Sequence, residues 1–296
     1  MIDICNQCPR NCKVDRDILT GFCGVMRQPK VAKACLHMWE EPCISGTKGS
    51  GAVFFSGCNL KCVFCQNYDI SQHNFGKQIS VGRLEEIFVE LIKKGAHNIN
   101  LVNPSHYTGA IKEALLSLKQ QGQLTVPVVY NTNSYEMTDS LKSLEGLVDV
   151  FLPDIKYFSE KTSLKYSKAQ DYSEICKKAV IEMYNQVGSP VLNDEGLIRR
   201  GLIIRHLILP GHIKESINIL DWISENFPKS AYISLMSQYT PYYQAEKYPE
   251  INRPITRNEY ERVVNHLYKL GLESGYIQER QSADVQYIPE FNLDGV

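Results

Sequence analysis

The chain has 296 residues, 43% of them hydrophobic and 22% charged, with a formal net charge of −1. That balance leaves no global basic field for nucleic acid or acidic lipid, and no apolar run approaches the roughly 20 residues that cross a bilayer. The start, Met1-Ile2-Asp3-Ile4-Cys5, has neither the basic nor the apolar region of a secretory leader, so a cytoplasmic protein without nucleic-acid or membrane partners is expected.

From the N-terminus, residues 1–48 show no strand–helix unit and are dense in cysteine instead. Nine of the ten cysteines lie within the first 65 residues. A disulfide framework suits small exported domains, whereas crowded thiols in a reducing compartment more often bind metal. Cys5-X2-Cys8-X3-Cys12-X10-Cys23 places four thiolates in 19 residues, with Pro9 and Gly21 as turn makers. Four sulfurs suit tetrahedral zinc and equally a second iron–sulfur cluster. A loop-rich segment with little apolar content needs such a staple to fold. Cys35 and Cys43 are left over, as buried thiols or, for Cys35, as a supplement to the N-terminal site. The segment reads as a cysteine-rich metal-binding appendage, with the main domain spanning residues 49–296.

Beyond residue 50, short apolar runs alternate with amphipathic segments. The runs at 52–56, 98–102, 126–131, 148–152, 202–209 and 231–236 have the composition of strands buried on both faces. Leu84, Ile87, Phe88, Leu91 and Ile92 make a helical stripe that Gly95 is placed to end. Ile111, Ala114, Leu115 and Leu118 repeat the pattern. Asp171 and Glu174 read as a capping box before a stripe through Ile175, Ala179, Met183 and Val187. Cys176 falls on that stripe and is expected to be a buried, inert thiol. Ile217, Leu220 and Ile223 form another stripe, and Tyr260, Val263, Val264 and Leu267 the last. The polar stretches 159–171 and 186–200 are expected to be surface excursions. Strand–helix units in series imply parallel strands joined by right-handed crossovers, as an open doubly wound sheet or as a full or partial barrel. In either, ligands gather at the C-terminal ends of the strands.

The first strand runs directly into Ser56-Gly57-Cys58-Asn59-Leu60-Lys61-Cys62-Val63-Phe64-Cys65, a CX3CX2C spacing. Three thiolates on one compact loop can hold three irons of a cubane and leave the fourth open to a small ligand. Structural zinc closes its site with four protein ligands instead. A zinc or plain electron-carrier reading of the triplet is the weaker one, because loop, aromatic residue and following barrel-like pattern agree.

This triplet, with Phe64 before its last cysteine, resembles the signature of the radical S-adenosylmethionine (SAM) superfamily. The resemblance implies a [4Fe-4S] cluster on Cys58, Cys62 and Cys65 whose open iron chelates SAM. It also implies reductive cleavage of SAM to a 5′-deoxyadenosyl radical that abstracts a substrate hydrogen. The implied fold is α/β, a partial (β/α)6 TIM-type barrel of parallel strands carrying the small N-terminal appendage. Gly57-Cys58-Asn59-Leu60 and Cys65-Gln66-Asn67-Tyr68 resemble the pyruvate formate-lyase-activating enzymes, which install a glycyl radical in a partner. Cys5-Asn6-Gln7-Cys8-Pro9-Arg10-Asn11-Cys12, Trp39-Glu40-Glu41-Pro42, Leu101-Val102-Asn103-Pro104, Phe151-Leu152-Pro153-Asp154-Ile155-Lys156-Tyr157 and Arg205-His206-Leu207-Ile208-Leu209-Pro210-Gly211 are similar to the PflX-like subgroup.

Roles follow from that resemblance where positions match. Activating enzymes bind the SAM amino group with a Gly-Gly-Glu-Pro-like segment after the second strand. Asn103-Pro104-Ser105-His106 occupies that place without the acidic residue, so Asn103, Ser105 and His106 are the candidates for SAM contact there. Asn131 and Asn133, ending the third strand, are further candidates for the ribose or carboxylate. Asp154 and Lys156, on one face of the fourth strand's end, resemble the Asp-X-Lys of activating enzymes and are the candidate catalytic pair. Arg205 and His206 face opposite ways, and the comparison favours Arg205 near SAM. Gln278 and Glu279 resemble a segment closing the barrel mouth, and Tyr239, Tyr242 and Tyr243 are expected at the barrel edge. Cluster-bearing activating enzymes usually place extra cysteines after the triplet, so zinc is favoured over a second cluster at Cys5, Cys8, Cys12 and Cys23. The expected partners are a flavodoxin- or ferredoxin-type electron donor and a protein substrate such as a glycyl-radical enzyme. A small molecule or another peptide side chain is the alternative substrate. A non-enzymatic iron–sulfur or zinc protein for electron transfer or assembly fits worse, since carriers seldom surround a pocket with a barrel.

Overall fold

A computed structural model describes residues 4–278 and 289–296. In chain order it runs β1 (Lys30–His37), α1 (Pro42–Ser45), β2 (Ser50–Phe55), α2 (Tyr68–Ser71), β3 (Lys77–Gln78), α3 (Val81–Lys93), β4 (Ile99–Val102) and α4 (Thr108–Gln120). Then follow β5 (Val128–Thr132), α5 (Thr138–Lys142), β6 (Val150–Pro153), α6 (Glu160–Ser167), α7 (Tyr172–Val187), β7 (Val191–Leu192) and β8 (Ile198–Leu207). The chain continues through α8 (Ile213–Asn226), β9 (Tyr232–Met236), α9 (Arg257–Lys269) and β10 (Gly275–Ile277).

Strands β2, β4, β5, β6, β8 and β9 are parallel neighbours in that order, each overlapping one of the apolar runs read from the sequence. They form the partial barrel of an α/β fold. β10 adds a further parallel strand beyond β9. Within residues 1–48, β1 pairs antiparallel with β2 and β3 pairs with β1, so this part of the chain continues the sheet. The Cys-rich residues before β1 stay loop-like.

Alternation along the strands sorts the core into two layers. Tyr130, Phe151, Leu202 and Ile204 point outward into the main cluster with Leu84, Phe88, Leu115 and Ile219 of the covering helices. Val129, Val150, Leu152 and Ile203 point inward, where Cys43 and Ile44 of α1 pack among them. The four-residue α1 therefore plugs the barrel near the strand starts. Polar inward residues are left for the other end.

Helix ends follow local chemistry. Ser80 caps α3 by accepting from the Arg83 amide, and Gly95 closes that turn at φ +89°, where a Cβ would be strained. Thr256 and Glu259 form a true capping box on α9. The expected box on α7 does not form: Asp171 makes no cap hydrogen bond, and its carboxylate accepts from Tyr135 Oη at 2.6 Å. A tertiary hydroxyl outcompetes the local amide. The stretch 159–171 is also not a surface excursion throughout. Ser159 caps α6, and the far end of that helix, at Tyr166 and Ser167, is fully buried.

Candidate functional site

At the C-terminal ends of the parallel strands lies a cavity of about 280 Å³. Cys58, Cys62 and Cys65 line it together with Asn103, Asn131, Asn133, Asp154, Lys156 and Arg205. The convergence of these groups from five strand ends is what parallel topology requires.

The cysteine loop leaves β2 through Gly57 at φ +88°, where an added Cβ would lie 2.9 Å from the Cys23 carbonyl oxygen. Each thiol has its own neutral side-chain donor. Ser167 Oγ donates to Cys62 Sγ at 3.0 Å, Ser71 Oγ to Cys65 Sγ at 3.3 Å, and Asn133 Nδ2 reaches Cys58 Sγ at 3.7 Å. Asn103 braces the loop from the other side, donating to the Gly57 carbonyl at 2.6 Å. Burial pushes the Cys62 thiol up and the Cys65 thiol to about 12. Such thiols become thiolates when a bound cation supplies the compensating charge. Among the described residues no three His, Cys, Asp or Glu side chains converge on a point for one metal ion. A cubane asks for one sulfur on each of three irons, and a buried loop of three donor-supplied thiols facing one cavity fits that demand.

Opposite the loop sits a buried charge network. Arg205 Nε donates to Asp154 Oδ1 at 2.7 Å, its Nη1 to Glu40 Oε2 at 3.1 Å and its Nη2 to Asn131 Oδ1 at 2.6 Å. Lys156 Nζ donates to Asp154 Oδ2 at 2.7 Å. Burial alone would raise the Asp154 carboxyl, but the Arg205 and Lys156 cations outweigh it and hold it below the usual range. Lys156 in turn stays charged, held up by Asp154 against burial. Asn131 and Asn100 both donate to Glu40 Oε1, at 3.2 and 3.0 Å. Glu40 belongs to the Trp39-Glu40-Glu41-Pro42 motif, but nothing in the sequence assigns it a place in the site. The neighbouring Glu41 is buried, which raises its carboxyl despite nearby Arg205.

His206 points away from the cavity. Its Nδ1 meets the Ile155 carbonyl at 2.7 Å and its Nε2 meets Ser216 Oγ at 2.8 Å, and burial lowers it to about 4. Ser105 and His106 are not brought to the cavity. Ser105 Oγ donates to Glu136 Oε1 at 2.5 Å, and His106 Nε2 is 2.8 Å from the Ser56 carbonyl oxygen, its imidazole lowered to about 3 by burial. A single 3-10 turn (Ser105–Tyr107) carries both residues behind the strand ends. Glu136, unmarked in the sequence, is buried there and pushed up to about 7 by that burial.

Tyr239 and Tyr242 line the cavity, and Tyr243 stacks on Tyr68 with ring centroids 5.3 Å apart. Gln278 extends β10 by donating its amide to the Leu235 carbonyl; Glu279 lies outside the described residues. Cys176 is buried, which pushes its thiol up to about 12.

The N-terminal segment lies against the cysteine loop, and among the described residues no three of its thiols converge on one metal position. The Cys5 amide donates to the Val14 carbonyl, and Asn11 and Lys13 turn the chain between the thiols with φ of 42° and 53°. Cys5, Cys8 and Cys23 are buried, Cys12 is half-buried, and all are free thiols. Burial, with the neighbouring thiols adding to it, pushes Cys8 up to about 12 and raises Cys23. Arg10 fastens this knuckle to the site: it donates to the Asn59 carbonyl at 2.7 Å, the Lys168 carbonyl at 2.5 Å and the Ser167 carbonyl at 3.0 Å.

Comparison with known proteins agrees with this geometry. The sequence model described as the Radical SAM superfamily matches residues 52–223. An uncharacterized protein of Methanocaldococcus jannaschii is 33% identical over 281 residues, which cover 92% of this chain and 76% of that protein. SuiB of Streptococcus suis, in its complex with the precursor peptide SuiA, has a TM-score of 0.52 at 13% identity, over 75% of this chain and 46% of SuiB. A radical SAM methyltransferase from Sphaerobacter thermophilus has a TM-score of 0.53 at 11% identity, over 77% of this chain and 66% of that one. The chain thus spans about half the length of SuiB, and at these identities the likeness is one of fold.

Proposed function

The chain belongs to the radical SAM superfamily, and from that premise we propose that it is an activase of the glycyl-radical type. In this reading Cys58, Cys62 and Cys65 hold the [4Fe-4S] cluster, which when loaded supplies the electron for reductive cleavage of SAM. The observation that carries the assignment is the meeting of the three thiols with Asp154, Lys156 and Arg205 around one cavity.

The chain's own residues then divide the work. Asn103 and Asn133 hold the cysteine loop against the strand ends. The SAM ammonium and carboxylate find opposite charges in the Glu40–Arg205–Asp154–Lys156 network, whose groups already pair and so enter the site with their desolvation offset. Phe64 and Tyr239, in edge contact at 5.7 Å, wall the cavity and exclude water from the reacting atoms. A partner's glycine-bearing segment would enter at the same rim, bringing its α-hydrogen within reach. What supports a polypeptide substrate is the likeness of residues 57–60 and 65–68 to the activating enzymes. A flavodoxin- or ferredoxin-type protein would deliver the electron. The four N-terminal thiols would hold a structural metal, zinc in preference to a second cluster.

The test is incubation of the reduced, anaerobically reconstituted protein with SAM and a glycyl-radical enzyme. A glycyl-radical signal in the electron paramagnetic resonance (EPR) spectrum of the partner supports the proposal. SAM cleavage stimulated only by a small molecule, or by a peptide modified at another side chain, would replace it with the corresponding reading.

A further inference from the structure

Of the three thiols facing the cavity, Cys62 has the shortest hydrogen bond and the most organised surroundings. Ser167 Oγ lies 3.0 Å from its sulfur and 2.7 Å from Tyr157 Oη. A serine hydroxyl has one proton to give. If Ser167 donates it to the sulfur, the 2.7 Å contact makes Tyr157 the donor behind it, and Tyr157 also lies within reach of the Cys62 sulfur itself, so the two hydroxyls act together on Cys62. Both residues are buried, Ser167 fully, so no water competes for either hydroxyl. Hydrogen bonds in series polarise one another and act more strongly in such a dry setting.

The chain of hydroxyls is also held in place. Ser167 ends α6, and Lys168 beyond it turns left-handed at φ 52°. Arg10 receives no hydrogen bond there; it donates to the carbonyls of Ser167 and Lys168 and to that of Asn59 in the cysteine loop. Its guanidinium rests on the Phe22 ring at 3.9 Å. The distance between α6 and the cysteine loop is therefore held by Arg10 from outside both elements, together with the Val63 amide, which donates to the Tyr166 carbonyl at 2.9 Å. Tyr157 stands one residue past Lys156, so the strand end that presents Asp154 and Lys156 to the cavity also supports the cysteine ligand.

We propose that Ser167, backed by Tyr157, is a positioning residue that sets the reduction potential of the cluster through Cys62. The electron balance is simple: the cluster takes one electron from a low-potential one-electron donor and becomes more negative by one charge, shared with its sulfur ligands. A hydroxyl aimed at a ligand sulfur stabilises the more negative state more, so it raises the potential. Its removal makes reduction harder.

The experiment is an EPR-monitored redox titration of the full reconstituted chain with dithionite and mediators. At the poise where the parent protein is half reduced, Ser167→Ala should lower the reduced-to-oxidised ratio about tenfold, which is about 59 mV for a one-electron couple. Tyr157→Phe should shift it the same way by less, and Ser167→Thr, which keeps a hydroxyl, should restore the parent value. A merely structural role for Ser167 would leave the potential where it was. Ser167→Ala with full cluster content and an unmoved potential overturns the proposal. Should Ser167→Ala fail to load, Tyr157→Phe decides, and a parent-like potential there overturns it equally. The proposal rests on the cluster site at Cys58, Cys62 and Cys65. A parent protein that takes up no iron would fault that site, whereas a loaded cluster with unmoved potential faults only the role of Ser167.

Discussion

Replacing Arg205 with Met should be among the most destabilising single changes in the barrel. The methionine keeps most of the volume but removes the cation that Asp154 and Glu40 share, leaving Glu40, among the described residues, with the amides of Asn131 and Asn100. The side chains of Arg205, Glu40 and Asp154 are 14%, 9% and 16% exposed, so solvent screens little of the loss. Stranding one partner of a buried ion pair costs about 3–5 kcal/mol. For a chain of this size each kcal/mol moves the melting temperature by roughly 2 °C, so a drop of roughly 6–10 °C is expected. The double variant Arg205→Met/Glu40→Gln should recover roughly 1–3 kcal/mol of that loss, because position 40 then carries no charge and Asp154 keeps Lys156. Acid stability should respond as well. Asp154 is held below the usual carboxylate range, so its contribution is present above about pH 4 and is lost as pH falls through its folded value. In Arg205→Met that contribution shrinks, because the folded value of the carboxyl rises towards its unfolded one, so the variant should lose less stability on acidification than the parent. Circular-dichroism melts at about pH 7 and about pH 3 read both effects. A fall of less than about 2 °C, with no recovery in the double variant, would refute the view of this network as one interdependent unit.

Other perturbations follow from the same structure. Arg10→Ala removes three donors to carbonyls on two elements and should cost about 1–3 kcal/mol, with faster loss of cluster absorbance in air than in the parent. Metal analysis of the Cys58→Ala/Cys62→Ala/Cys65→Ala variant should find about one zinc and little iron if the N-terminal thiols form a tetrahedral site, whereas about four irons would assign them a second cluster. Glu136 is raised by burial to about 7, so its stabilisation is present at low pH and is lost as pH rises between its unfolded value and that point. Glu136→Gln should therefore flatten the decline in denaturant midpoint between pH 5 and pH 8, and an unchanged decline would assign it to another group.

The parallel strands were legible because each is a doubly buried apolar run, and the cavity residues because alternation fixes which strand-end side chains share a face. Asp154 with Lys156 follows from that rule; the rule also sets Arg205 and His206 on opposite faces, and the choice of Arg205 comes from the resemblance. What could not be read lies in contacts between distant segments. β1 lies between β2 and the two-residue β3, its polar positions Lys30 and Lys33 dilute its pattern, and it is ordered by pairing with β2. Ser167 and Glu40 sit in polar stretches that look solvent-bound until folding carries them inside. Ser105 and His106 show the converse: sequence place beside a strand end suggests ligand contact, yet a single turn rotates both side chains into the protein. Asp171 lost its expected cap to a tyrosine 36 positions away.

The central claim is that Cys58, Cys62 and Cys65 form the centre at which SAM is reductively cleaved. Its most direct test is chromatography of the products when reconstituted, dithionite-reduced protein is given SAM without oxygen. The account predicts 5′-deoxyadenosine and methionine in equal amounts, and no 5′-deoxyadenosine when the three cysteines are alanine. Reductive cleavage persisting in that triple variant would contradict it.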